Sequence, residues 1–170
     1  MNLPLRPAVA SLQGLLSWAA TLASSIAASW DVNHRKDGRH KFEWVQVPYD
    51  ATRFNGLSGM TWGVDSSGQL LLEYRIVGDA CTVKWRIATS DCGGGVNTLQ
   101  IRLPDGIYAA RRASDVHYYD DAGTEGVGLA RISDGLTHIQ LYKSSSAATW
   151  TATTANNTYT EGSIEFPITQ

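Results

Sequence analysis

A single change of period governs this chain. Up to about residue 30 the apolar residues recur at helical spacing. From residue 42 onward they alternate with polar ones, and no second helical stretch follows. Phe42, Trp44 and Val45 to Val47 predict a first strand ended by Pro48, and Met60, Trp62 and Val64 alternate with Thr61 and Gly63. Residues 70–77 and 81–88 form two β-like runs split by Gly78-Asp79. Leu99, Ile101 and Leu103 point one way, with Gln100 and Arg102 the other. Residues 107–112, 115–120, 127–132, 136–142 and 162–168 supply further strands. Between the runs lie the turn signals Gly93-Gly94-Gly95, Pro104-Asp105-Gly106, Asp120-Asp121-Ala122-Gly123, Asp134-Gly135 and Asn156-Asn157. The expectation is a mainly β protein: an antiparallel sandwich or barrel of roughly eight to ten strands, preceded by one N-terminal α-helix. Parallel α/β architecture is excluded for want of crossover helices.

The helical stripe covers residues 8–30. Leu12, Ala19 and Ile26 lie seven apart, Leu15 and Leu22 fill the seam between them, and Leu16, Ala23 and Trp30 widen it. Alone, such a helix is marginal in water, so the stripe must cover something. It packs either on the chain's own sandwich or in a parallel bundle with sister copies, and a face this broad favours more than two strands. The run carries no charge, which also suits a secretory leader. However, Ser11, Gln13, Ser17, Thr21, Ser24 and Ser25 interrupt it too often for a leader core or a membrane span. Before it, Leu3-Pro4-Leu5-Arg6-Pro7 reads as an extended arm whose last proline can open the helix. After it, a polar segment holding Asp37-Gly38 reads as a neck. Three parts result: arm and helix over 1–31, neck over 32–41 and β-domain over 42–170.

Net charge is −2, and the one basic cluster (His34-Arg35-Lys36, then Arg39, His40 and Lys41) is diluted by Asp31 and Asp37. Backbone binding of nucleic acid needs a concentrated basic face, so that partner class is set aside. Two cysteines are too few for a disulfide scaffold. Cys81 falls in a strand and Cys92 in the next Gly-rich turn, which leaves a hairpin bridge open, but two free thiols are the expectation.

No catalytic motif is present: no Gly-x-Ser-x-Gly elbow, no phosphate-binding Gly-Lys loop, no His-Glu-x-x-His. The chain is expected to be non-enzymatic and to need no cofactor or metal. His117 and His138 are read as surface or edge residues. Asp115, Asp120, Asp121 and Glu125 form the densest acidic group. They are read as a turn that could alternatively hold calcium or act as a glycosidase pair. Tyr108, Tyr118, Tyr119, Trp150 and Tyr159 stand near loops rich in Asp, Asn and Thr, the composition of many sugar-binding surfaces. Of these, Tyr118, Tyr119, Trp150 and Tyr159 are the candidate glycan contacts. Trp44, Trp62 and Trp85 are expected in the core.

The order of motifs from Phe54-Asn55-Gly56 onward resembles the C-terminal β-domains of tailed-bacteriophage fibre, spike and head-decoration proteins. The pieces are Gly59-Met60-Thr61-Trp62, Thr89-Ser90 before Gly93-Gly94, and Leu99-Gln100-Ile101 through Leu103-Pro104-Asp105-Gly106. Then come Trp150-Thr151, Asn156-Asn157-Thr158 and Gly162-Ser163-Ile164-Glu165-Phe166. The neck, Val32-Asn33-His34 with Asp37-Gly38-Arg39-His40-Lys41, is similar to phage fibre junctions. The resemblance covers roughly the last three quarters of the chain. It implies that the β-domain is an antiparallel jelly-roll-type β-sandwich, a homotrimeric knob on a helical stem, assembled in the host cytoplasm into the virion. Leu3, Pro4, Leu5, Arg6 and Pro7 would anchor it to other virion proteins of tail or capsid. The helix residues named above would form the oligomer interface, and the β-domain would meet a host surface glycan or protein. There is no shaft repeat and the stem is only a few turns, so a short spike or head-surface knob fits better than a reaching fibre. Cys81 and Cys92 do not belong to the pattern. The alternatives are a capsid decoration, cement or head-fibre protein, and a small spike domain that binds or hydrolyses glycans.

Overall fold

In a computed structural model of the chain, the described residues are 12–33, 43–95 and 97–169. They belong to two compact units, residues 1–43 and 44–170.

In the first unit α1 spans Leu12–Asn33. Past Gly14 it contains neither Gly nor Pro, and Ala and Leu supply propensity. The hydroxyls of Thr21 and Ser25 donate back to the carbonyls of Ser17 and Thr21 at 3.0 and 2.9 Å, so these polar residues spend their groups on the helix itself. The helix runs on through Asp31, Val32 and Asn33, which hold no breaker. Val32 and Asn33 are therefore helical and not part of a neck. The arm, residues 8–11 and the rest of the neck lie outside the described residues. No helix of the described residues is long and apolar enough to cross a membrane.

The second unit is mainly β. Its strands are β1 (Val45–Gln46), β2 (Phe54–Gly56), β3 (Met60–Gly63), β4 (Gln69–Val77), β5 (Ala80–Gly94), β6 (Leu99–Arg102), β7 (Ala113–Asp121), β8 (Thr124–Ile132), β9 (His138–Tyr142) and β10 (Thr153–Pro167). They form one antiparallel sheet in the order β1-β4-β5-β10-β7-β8-β9-β6-β2, with β3 also paired to β5. The sheet curls because β5 is long enough to serve two neighbours on one edge. Its first half pairs with β4 and its last residues with β3, Met60 opposite Gly94 and Trp62 opposite Cys92. A bulge separates the halves: between the Ile87–Thr160 and Ser90–Thr158 pairs, β5 has Ala88 and Thr89 where β10 has only Tyr159. Inward positions accordingly run 81, 83, 85, 87 and then 90, 92. Cys92 thus lies in a strand, not a turn. It is eleven residues along the same strand from Cys81; the two form no disulfide, and both are buried.

The far end of the curl meets its beginning at Phe54 of β2 and Trp62 of β3, whose rings contact edge to face at 5.4 Å. The pairing of β3 with β5 needs glycine at 94: its φ is +74°, and a Cβ there would fall 2.2 Å from the Gly59 carbonyl.

Inside the curl lie Phe54, Trp62, Leu72, Val83, Trp85, Ile87, Leu99, Ile101, Ile139, Leu141, Trp150, Ile164 and Phe166. Trp62 and Trp85 are therefore core, as their alternation predicts. Trp44 is not. It is only half-buried, with the Arg75 guanidinium 4.8 Å and the Lys84 ammonium 4.1 Å from its ring centre, so cations cover it in place of apolar side chains. Residues 107–112 do not form a strand. One bridge, Ala109 to Ile168, is all they contribute, since the N–H groups of Ala109 and Ala110 go to the carbonyls of Leu136 and Pro167.

Candidate functional site

Strand alternation sorts the candidate aromatics. Tyr118 and Tyr119 are neighbours on β7, so one must point out of the curl and the other into it. The inner set comprises Tyr119, Trp150 and a residue absent from the expected core, His117.

His117 is 2% exposed, so it is neither a surface nor an edge residue. Its ring stacks on Trp150 at 6.1 Å with a 21° angle, and Tyr119 meets Trp150 edge to face at 5.5 Å. Two glycines make room for it. Gly128 on β8 and Gly162 on β10 are its cross-strand partners. A Cβ at Gly128 would lie 2.5 Å from His117 Nε2, and one at Gly162 would lie 2.8 Å from His117 Cβ. Glycine at both of its pairing positions leaves the imidazole a slot, a match that only the strand register brings out.

The imidazole of His117 and the indole N–H groups of Trp85 and Trp150 are all bonded. His117 Nε2 faces the Tyr142 carbonyl at 3.0 Å and Nδ1 faces the Tyr118 carbonyl at 3.1 Å, and both oxygens can only accept. Nδ1 lies 2.9 Å from Thr160 Oγ1, which in turn accepts from Trp85 Nε1 at 3.2 Å. Trp150 Nε1 donates to the Leu141 carbonyl at 2.7 Å. Burial lowers the pKa of His117, and the Tyr142 and Tyr118 carbonyls oppose this only in part. The cluster is a satisfied core. Trp150 is 0% exposed and Tyr119 packs against the core, so neither offers a ring to a glycan.

The acidic group separates in the same way. Ala122 and Gly123, both at positive φ, form a two-residue hairpin turn between Asp121 and Thr124, and Asp120 Oδ1 accepts from Gly123 N at 2.8 Å. Asp121 turns inward. It is 2% exposed, ion-paired to Lys143 Nζ at 2.6 Å and bonded by Thr151 N at 3.0 Å. Among the described residues no group of three or more His, Cys, Asp or Glu is placed to hold a metal ion. His138 is a partly exposed residue on β9, bonded to the Thr137 hydroxyl at 3.1 Å.

The outer face carries what remains. Tyr118 of β7 is 40% exposed, and its ring meets that of Tyr159 on β10 edge to face at 5.8 Å. Tyr159 donates its hydroxyl to Glu161 Oε2. From β5, Arg86 holds both oxygens of the same carboxylate: Nε to Oε2 at 3.0 Å and a terminal nitrogen to Oε1 at 2.8 Å. Hydrogen bonds from Arg86 and then Tyr159 lower the Glu161 pKa, while the Glu125 carboxylate bonded to Tyr118 pushes that phenol up to about 12. Next to this group β7 parts from β10. The two pair only from Thr158–Asp121 to Gly162–His117, whereas β10 stays on β5 as far as Pro167. The parting opens a cleft of about 520 Å³ lined by Leu71, Lys84, Asp115, Val116, Glu161 and Ser163, with Gly162 and Trp85 at its base.

Of the four candidate glycan contacts, the structure thus brings Tyr118 and Tyr159 together outside and Tyr119 and Trp150 together inside. Arg86 and Glu161 were missed; they pair across strands 75 residues apart in sequence, a distance no local pattern spans. No family model, curated protein or solved structure matches this chain.

Proposed function

We propose that the chain is a non-enzymatic phage virion structural protein, a short spike- or fibre-type knob. Its helix associates with sister copies as a homotrimer, its N-terminal arm engages other virion proteins, and its β-domain faces the host. A jelly-roll-type layering of the curled sheet belongs to the same proposal. One observation carries it. On α1 the stripe residues Leu16 and Ile26 stand 62% and 54% exposed, Ala19 and Ala23 are exposed, and Leu22 is only partly buried. The side chains of Leu12, Leu15 and Trp30 lie outside the described residues. Burying each large apolar side chain in a bundle is worth about 1.5–3 kcal/mol, and sister helices are the one partner certain to carry a matching stripe. Antibody raised against residues 44–170 is expected to label intact particles of the virus that encodes the chain. Its absence from purified particles would overturn the proposal. Retention on tailless heads together with failure to adhere to host cells would assign the chain to capsid decoration.

A further inference from the structure

We infer that the outer face of β5, β7 and β10 is an oligosaccharide site, with Tyr118 and Tyr159 as its stacking platform. The Arg86–Glu161 pair is its hydrogen-bonding centre, and the adjoining cleft receives the neighbouring sugar unit. The inference rests on the host-contact reading and specifies its ligand.

A sugar ring offers an apolar C–H face and a rim of hydroxyls, so its site must combine exposed ring surface with donors and acceptors held at fixed positions. Both are present here. The two tyrosines are locked against each other, which reduces the ordering cost of stacking. Glu161 is fixed by two strands at once, through Arg86 of β5 and Tyr159 of its own β10, yet its side chain is 41% exposed and that of Arg86 49%. A planar acceptor and a planar donor therefore stand side by side in solvent, matched to the adjacent hydroxyls of one ring. The cleft volume, about 520 Å³, lies in the range of roughly 300–1,000 Å³ typical of small-ligand sites. Its lining alternates apolar (Leu71, Val116) with hydroxyl, ammonium and carboxylate groups (Ser163, Lys84, Asp115). The carboxylates of Asp115, Asp120, Glu125 and Glu161 on or beside the face disfavour a polyanion such as nucleic acid. The competing occupant is a protein surface seated on Val116 and Val127, which are 62% and 66% exposed.

The test is an array of neutral, amino and acidic oligosaccharides probed with the full chain, followed by calorimetric titration of retained sugars. The expected result is retention of at least one oligosaccharide, weakened tenfold or more in both Tyr118→Ala and Glu161→Gln and unchanged in Leu70→Ser, a site exposed elsewhere. All variants are first checked for the wild-type circular dichroism spectrum, and all three positions are solvent-facing. No retained sugar, or retention equal in the two site variants, overturns the inference. Host-cell adhesion abolished by Val127→Asp but not by Glu161→Gln assigns the face to a protein partner. Adhesion without any sugar retention overturns this site and leaves the virion reading standing.

Discussion

Replacing Lys143 by Met is expected to cost more than any charge-removing change elsewhere in the β-domain, because it strands a carboxylate that cannot move. Asp121 has a side chain 1% exposed, while that of Lys143 is 20% exposed, and the pair meets at 2.6 Å. Without Lys143 the carboxylate keeps one donor, Thr151 N at 3.0 Å, and its Oδ1 has no partner among the described residues even now. Breaking a buried pair from one side costs about 3–5 kcal/mol. The partial exposure of Lys143 places Lys143→Met near the lower end, at about 3 kcal/mol. The converse change, Asp121→Asn, is milder, about 1–2 kcal/mol. The amide oxygen still accepts from Thr151, and the freed ammonium can swing along its stem to water. Replacing both residues, Lys143→Met with Asp121→Leu, removes charge from both sides and should recover at least half of the loss. Urea titration followed by tryptophan fluorescence measures all three, with the midpoint lowered and the slope unchanged. The reasoning is refuted if Lys143→Met lies within about 1 kcal/mol of wild type, or if Asp121→Asn costs more than it does.

Three further outcomes follow from the interior. His117 has a folded-state pKa below its ordinary 6.5, so below that pH the unfolded chain binds more protons. The His117 contribution to stability should fall as pH drops from about 6.5 toward the folded value, by at most about 1.4 kcal/mol per pH unit, and be flat above about 6.5. His138 is lowered too, by burial and then Arg102, so the diagnostic quantity is the slope removed by His117→Asn in pH-dependent melting curves; no change of slope would contradict the assignment. Gly94→Ala should lower stability by at least about 2 kcal/mol, from positive φ plus the clash with Gly59, and shift the melting temperature by several degrees. Burial pushes the Cys92 thiol up to about 11, and Cys81 and Cys92 are both 0% exposed. Ellman's reagent should therefore find no reactive thiol in the native chain and two after unfolding.

The helix and most strands were legible because each is written in its own local period. Helical spacing marks α1, and alternation marks Met60 to Val64, Leu99 to Leu103 and the pair split by Gly78-Asp79. The failures share a physical cause: they depend on pairing between distant strands. Nothing near Cys92 shows that β5 bends at Ala88-Thr89 and continues past the apparent turn, since the bulge exists only against Tyr159 of β10. Nothing near His117 shows that glycines 11 and 45 residues onward, Gly128 and Gly162, leave it a slot. The candidate site shows the same limit. Tyr118 and Tyr159 were singled out by composition, whereas the parity that turns Tyr119 inward, and the Arg86–Glu161 pair that completes the outer face, follow from register. Trp44 failed for a different reason. It stands one residue before β1, at the edge of the β-domain, where Arg75 and Lys84 cover its ring.

The account as a whole depends on what covers the apolar stripe of α1. Sedimentation equilibrium of the full chain, each copy 18.5 kDa, alongside a Leu16→Asp, Ile26→Asp double variant, tests this directly. The prediction is a concentration-stable species of three chains that dissociates in the variant while the β-domain keeps its spectrum. A wild-type chain that sediments as a single copy with its helical signal intact would contradict it.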